Sequence, residues 1–190
     1  MEELKNWLDS MEDAEDDQVV ADIPVMMEKI KEIGFLKVIQ DEELKDFLPD
    51  IMERMGRIDL EKLVPLAEVI LPTFFEGMHE LVENSEEAQE ELEDMDDMRL
   101  LISVPELDVH LFMIVEDGKF SGGAEKIDNA DMMITVEKDT FLNLMRGETE
   151  LVSAYMAGGM TMEGQLNKAM QLQSLFEAVS DEYDFDIGLF

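Results

Sequence analysis

Apolar and polar positions change their period along this chain. From Ile23 to about Leu71 the apolar residues recur at helical spacing: Met27, Ile30 and Ile33, then Leu36 and Ile39 beyond Gly34. A second run (Leu44, Phe47, Leu48, Ile51, Met55) and a third (Leu60, Leu63, Leu66, Ile70) keep the same spacing. Such stripes predict amphipathic helices. Pro24 suits a first helical position. Asp41 and Asp59 are placed as N-caps, and Pro49 predicts a kink or break. The residues before this region are polar and acidic. Leu4, Trp7, Leu8 and Met11 fit a short amphipathic helix, and fraying is the competing expectation.

From about Pro72 a different unit is expected. Residues 74–95 read as one helix, with Phe74, Phe75, Met78, Leu81 and Val82 on its apolar side. The period then shortens to two. Leu100–Val104 reads as a strand ended by Pro105. In 109–115, Val109, Leu111, Met113 and Val115 share one face, and His110, Phe112 and Ile114 the other. Apolar residues on both faces predict a central strand. Asp117-Gly118 is a hairpin signal, with a return strand through Phe120 towards Gly122-Gly123. Met132–Val136 is a fourth strand. Lys138 or Asp139 opens a helix carrying Phe141, Leu142, Leu144 and Met145, closed by Gly147.

The stretch from Gly147 to Leu175 organises the rest. A short helix carries Leu151, Val152, Tyr155 and Met156, and Gly158-Gly159 ends it. Met160–Gly164 alternates as a fifth strand, with Met160 and Met162 on one face. Leu166, Ala169, Met170, Leu172 and Phe176, widened by Leu175 and Val179, form the stripe of a final helix. The expected fold is α/β, in the α+β sense: a five-stranded, mostly antiparallel sheet covered by helices, behind a helical N-terminal extension. The expected extents are 1–71 for the extension, 72–183 for the sheet domain, and 184–190 for an acidic tail, expected to fray, that ends in Ile187, Leu189 and Phe190.

This stretch resembles the sterol carrier protein type-2 family. The residues that carry the resemblance are Gly147, Ala154-Tyr155, Gly158, the strand Met160 to Met162 closing on Gly164, then Ala169, Leu172 and Leu175. Upstream, ADMMITVEKDTFLNLMRGE resembles the family's strand followed by a helix with Phe and Leu anchors. The resemblance covers roughly the last 115 residues. Gly159 stands where the family often has Lys, and Gln165 where it often has Asp or Asn. The resemblance implies an apolar tunnel between sheet and helices that shelters a lipid tail. It implies a non-enzymatic carrier for a sterol, fatty acyl or isoprenoid-type molecule. The residues expected to line the tunnel are Phe112, Ile114, Phe141, Met145, Met156, Met160, Met162, Met170, Leu172 and Phe176.

Composition narrows the chemistry. The chain holds 17 methionines, flexible and polarizable side chains that suit ordinary core packing and also suit ligands of varied shape. There is no cysteine, which removes disulfides, thiolate catalysis and thiolate-bound zinc and fits a cytoplasmic protein. His79 and His110 read as surface or packed histidines without metal partners. The acidic run at 86–97 lacks the loop pattern of a calcium site and reads as solvated helix surface. No nucleophile elbow or dinucleotide-binding pattern is present, and Ser153 and Ser174 have no obvious base. No catalytic residue, metal or cofactor is expected. No apolar run is long enough to span a membrane, and the acidic N-terminus is unlike a secretory signal.

Charge changes the picture most. Asp and Glu number 48 against 14 Lys and Arg, a formal charge of −34. Duplex nucleic acid and anionic membrane surfaces are repelled. A salty setting would screen the self-repulsion. A second functional reading comes from the extension. It is an interaction or accessory module whose acidic helices dock a protein partner or a second copy, or assist an enzyme with a hydrophobic substrate.

Overall fold

The computed structural model describes residues 2–11, 13–44, 54–145, 148–149 and 151–184, without the side chains of Leu60, Met145, Leu151, Val152, Leu166 and Ala169. The expectations for Phe47, Leu48, Pro49, Ile51, Gly147 and residues 185–190 lie outside the described residues. The chain divides into two compact units, Met1–Glu80 and Leu81–Phe190.

In the first unit, α1 (Glu2–Met11), α2 (Asp16–Ile33) and α3 (Phe35–Gln40) follow one another, with further helical residues at 42–44 and 54–57. Then come α4 (Leu60–Leu63), a 3-10 turn (Val64–Leu66) and α5, which runs from Ala67 to Asn84 and continues into the second unit. Residues 2–11 are helical because Leu4, Leu8 and Met11 have a core to enter. They pack with Val19, Met26, Val38, Leu44 and Ile58. Arg54 secures the turn after α1. Its Nη2 donates to the Ala14 carbonyl at 2.8 Å, and its Nη1 pairs with Asp16 at 2.9 Å. Gly34 ends α2 at φ +93°, a value that favours glycine. Asp41 caps as expected, its Oδ1 accepting from Leu44 N at 3.1 Å, and Asp59 Oδ1 accepts from Glu61 N at 3.1 Å.

Two boundary expectations are corrected. Pro24 lies inside α2, which begins at Asp16. Buried Val19 and Ile23 carry the helix back through the polar stretch before the proline. The single helix expected over 74–95 is two helices. Ser85 has extended backbone (φ −94°, ψ 119°) and its side chain accepts from Ala88 N, starting α6 (Glu86–Asp94). A serine N-cap outweighed the continuous helical period.

The second unit is built on a five-stranded sheet. The strands are β1 (Met98–Val104), β2 (Val109–Glu116), β3 (Lys119–Gly123), β4 (Met132–Val136) and β5 (Met160–Gly164), in the order β3-β2-β1-β4-β5. β1 pairs with β4 in parallel, and the other pairings are antiparallel. Between β4 and β5 lie α7 (Lys138–Met145) and α8 (Leu151–Ala157), and α9 (Leu166–Tyr183) closes the unit. The result is a mixed, mostly antiparallel sheet flanked by helices.

α6 and α9 pack together over one face of the sheet. Leu172, Leu175, Phe176 and Val179 of α9 are buried. Phe176 meets Phe120 of β3 edge to face, with centroids 5.7 Å apart. Ser85 Oγ donates to Glu182 Oε2 at 2.5 Å, tying the start of α6 to the end of α9. Lys168 is buried near the other end of α9. Its Nζ donates to the Asp97 carbonyl at 2.5 Å and pairs with Asp131 at 3.4 Å.

Candidate functional site

Register decides which side chains can meet a common ligand, because alternate residues of a strand point to opposite faces. Leu100, opposite Met113 and Met132, and Ile102, opposite Leu111 and Ile134, stand on the face covered by α6 and α9. Met162 faces Ile134, and Met160 faces Val136, on the same side. The second face carries Leu101 opposite Phe112 and Met133, Arg99 opposite Ile114, and Ser103 opposite His110 and Thr135.

The ten residues expected to line a tunnel therefore divide. Met160 and Met162 stand on the covered face, where Leu172 and Phe176 belong to the helix packed over it. Met160, Leu172 and Phe176 are buried and Met162 is half-buried. Phe112 and Ile114 are on the second face, both half-buried. Phe141 and Met145 lie on α7, Phe141 half-buried; the Met145 side chain is outside the description. Met156 of α8 is 81% exposed and Met170 of α9 is 66% exposed. The structure thus brings Met160, Met162, Leu172 and Phe176 to one side of the sheet and Phe112 and Ile114 to the other.

The second face is apolar at its centre. Leu101 is buried, Phe112 and Ile114 are half-buried, and Met133 is 43% exposed. The Phe112 ring lies over Gly123, its cross-strand partner. Beside them, Ser103 Oγ is 3.0 Å from His110 Nδ1. This couple is not visible in the local pattern. It becomes visible only once β1 and β2 are set in register.

Two clefts accompany these surfaces. One, of about 390 Å³, is bordered by Asp97, Met98, Arg99, Val115, Glu116, Asn129 and Asp131 at the end of β1 where Lys168 docks. The other, about 90 Å³, lies in the first unit beside Gly34, Phe35 and Glu80. Both carry charged side chains, and none of the ten expected lining residues borders either. Among the described residues, no group of three His, Asp or Glu is placed to hold a metal ion. Also among them, no helix is long and apolar enough to cross a membrane.

The fold and the sequence pattern together define the class. The model of the SCP-2 sterol transfer family matches residues 75–177, and the chain belongs to that family. Membership supports a general role in binding hydrophobic ligands without specifying which. Among solved structures, the UbiJ-SCP2 ubiquinone synthesis protein is 14% identical with a TM-score of 0.42, over 57% of this chain and 96% of that one. Sterol carrier protein 2 from Yarrowia lipolytica, in its apo form, is 12% identical with a TM-score of 0.40, over 55% and 91%. The stereoselective inverting sec-alkylsulfatase Pisa1 from a Pseudomonas species is 14% identical with a TM-score of 0.39; the match spans 90% of this chain but 29% of that one. No curated protein matches the sequence.

Proposed function

We propose that this chain binds a hydrophobic lipid-like molecule, of sterol, fatty acyl or isoprenoid type, and carries it without chemical change. The carrying unit is residues 72–183, in a cytoplasmic setting. The observation that supports this reading most is that the central strands of an SCP-2 family domain are apolar on one face and at the centre of the other. One face is closed by α6 and α9, while the second carries buried Leu101, half-buried Phe112 and Ile114 and a part-exposed Met133. Burying ligand surface there gains about 25 cal/mol per Å², which offsets the lost freedom of a bound chain. Phe112 and Ile114 are the expected direct contacts. Met160, Met162, Leu172 and Phe176 would meet a ligand that inserts between the sheet and α9. No transition state has to be stabilised.

Native mass spectrometry of the purified full chain, followed by lipid extraction, tests this reading. A stoichiometric hydrophobic molecule, or uptake of a fluorescent acyl or sterol probe, is the expected result. Met133→Lys, at a part-exposed position whose cross-strand partner is Glu163, should weaken uptake by about tenfold while the melting curve shows the fold retained. An empty chain that takes up no probe overturns the carrier reading.

A second reading is supported by the separate hydrophobic core of the first unit, in which Leu4, Leu8, Val19, Val38 and Ile58 pack. Such a unit would serve as a docking module for a protein partner or a second copy. Loss of every partner on deletion of residues 1–70 is the expected outcome if it does. A chain that stays monomeric and partner-free overturns it.

A further inference from the structure

The second face of the sheet sets a polar couple beside its apolar centre. Ser103 and His110 are directly opposite one another on β1 and β2. Ser103 Oγ and His110 Nδ1 are 3.0 Å apart, and both residues are half-buried. The other ring nitrogen, Nε2, stands 3.7 Å from Oδ1 of Asp108, whose side chain is fully exposed. Two residue pairs along the ladder, and next on the same face, comes Leu101 with Phe112, then Arg99 with Ile114.

A neutral imidazole has one N–H and one lone-pair nitrogen. The carboxylate beside Nε2 favours the proton on that side. Nδ1 is then the acceptor of the Ser103 O–H, and Ser103 Oγ is left with lone pairs to offer. The couple therefore accepts a hydrogen bond from a ligand. A hydroxyl satisfies it. A carboxylate or phosphate brings only acceptors of its own and meets the Asp108 charge, in a chain whose formal charge is −34.

We propose that Ser103 and His110 form the polar anchor for an uncharged, hydroxyl-bearing long-chain ligand, with its hydrocarbon along Leu101, Phe112 and Ile114. This rests on the carrier reading and names the headgroup subsite within it.

The test uses the full chain at low ionic strength and two probes of equal chain length, 1-hexadecanol and hexadecanoate. Each competes with an uncharged fluorescent lipid. Hexadecanol should displace the probe at a concentration about tenfold lower than hexadecanoate. Ser103→Ala and His110→Phe should each weaken hexadecanol by about five- to tenfold and leave hexadecanoate unmoved. Ser103→Thr, which keeps the hydroxyl, should restore the wild-type value. Melting curves of the variants show that the fold is retained.

Equal displacement by the two probes, or tighter hexadecanoate, overturns the proposal. So does an alcohol preference that survives both Ser103→Ala and His110→Phe. These failures leave the carrier reading standing, because the fluorescent lipid is still bound. A chain that takes up no fluorescent lipid at all removes the carrier reading, and this proposal with it.

Discussion

Phe112 and Gly123 form an aromatic-glycine pair across β2 and β3: a Cβ at Gly123 would lie 2.5 Å from Cε1 of the Phe112 ring. The glycine leaves room for the ring to lie across the sheet rather than stand off it. Gly123→Ala should push the ring outward and cost about 1–3 kcal/mol, the usual scale of overpacking. Urea unfolding of the full chain measures the cost. A neutral substitution would mean that the ring swings clear without loss.

Leu172 and Met170 are two residues apart on α9 with opposite fates. Leu172 is fully buried and Met170 is 66% exposed. Leu172→Ala should destabilise the chain by about 2–5 kcal/mol. Met170→Ala should fall within about 0.5 kcal/mol of wild type. Thermal and denaturant unfolding of the two variants checks the contrast. A large loss at Met170 would place that side chain inside the core.

The Asp41 carboxyl is held below its ordinary value of 3.8, first by the hydrogen bond from the Leu44 backbone N–H, with Lys5 adding to it. A depressed folded-state pKa contributes stability above the unfolded value, lost as pH falls through the folded value. The first unit should therefore lose this contribution as pH falls below about 4. Asp41→Asn keeps the capping acceptor and removes the titration. Its melting temperature should depend less steeply on pH than that of the wild type. Identical acid profiles would show that the Asp41 cap contributes nothing measurable.

Self-repulsion among 48 carboxylates should make stability rise with salt. Melting temperature in molar KCl should exceed that in low KCl. A flat or falling dependence would show that the acidic faces are already well solvated without added ions.

Strands and helices were legible because their periods are local. Val109–Val115 could be sorted into its two faces by alternation, and α9 by its apolar stripe. What local pattern did not encode was competition and register. Ser85 gave no signal strong enough to break a helical run until its side chain was seen capping Ala88. The helix through Pro24 depends on tertiary burial of Val19 and Ile23. The division of the ten lining candidates depends on strand order and pairing: Phe112 and Ile114 oppose Leu101 and Arg99, while Met162 opposes Ile134. Alternation places a residue on a face but does not say which face of one strand continues which face of the next. The Ser103–His110 couple was hidden for the same reason.

The parallel seam between β1 and β4 has a consequence for how the unit assembles. β1 reaches β2 through a short connection and β3 follows by a tight hairpin, so these three strands close with little loss of chain entropy. β4 joins the other edge of β1 only after an excursion, and the contact that starts the seam, Arg99 N to Asp131 Oδ2, spans 32 residues. Long-range pairing is entropically late. The three-strand meander is thus the natural nucleus, and the edge that β4 covers stays open until the end. An unpaired edge is where chains stick to one another. Any aggregation during refolding should therefore begin at the β4 side of β1, and substitutions at Met132 or Ile134 should speed unfolding more than they slow folding.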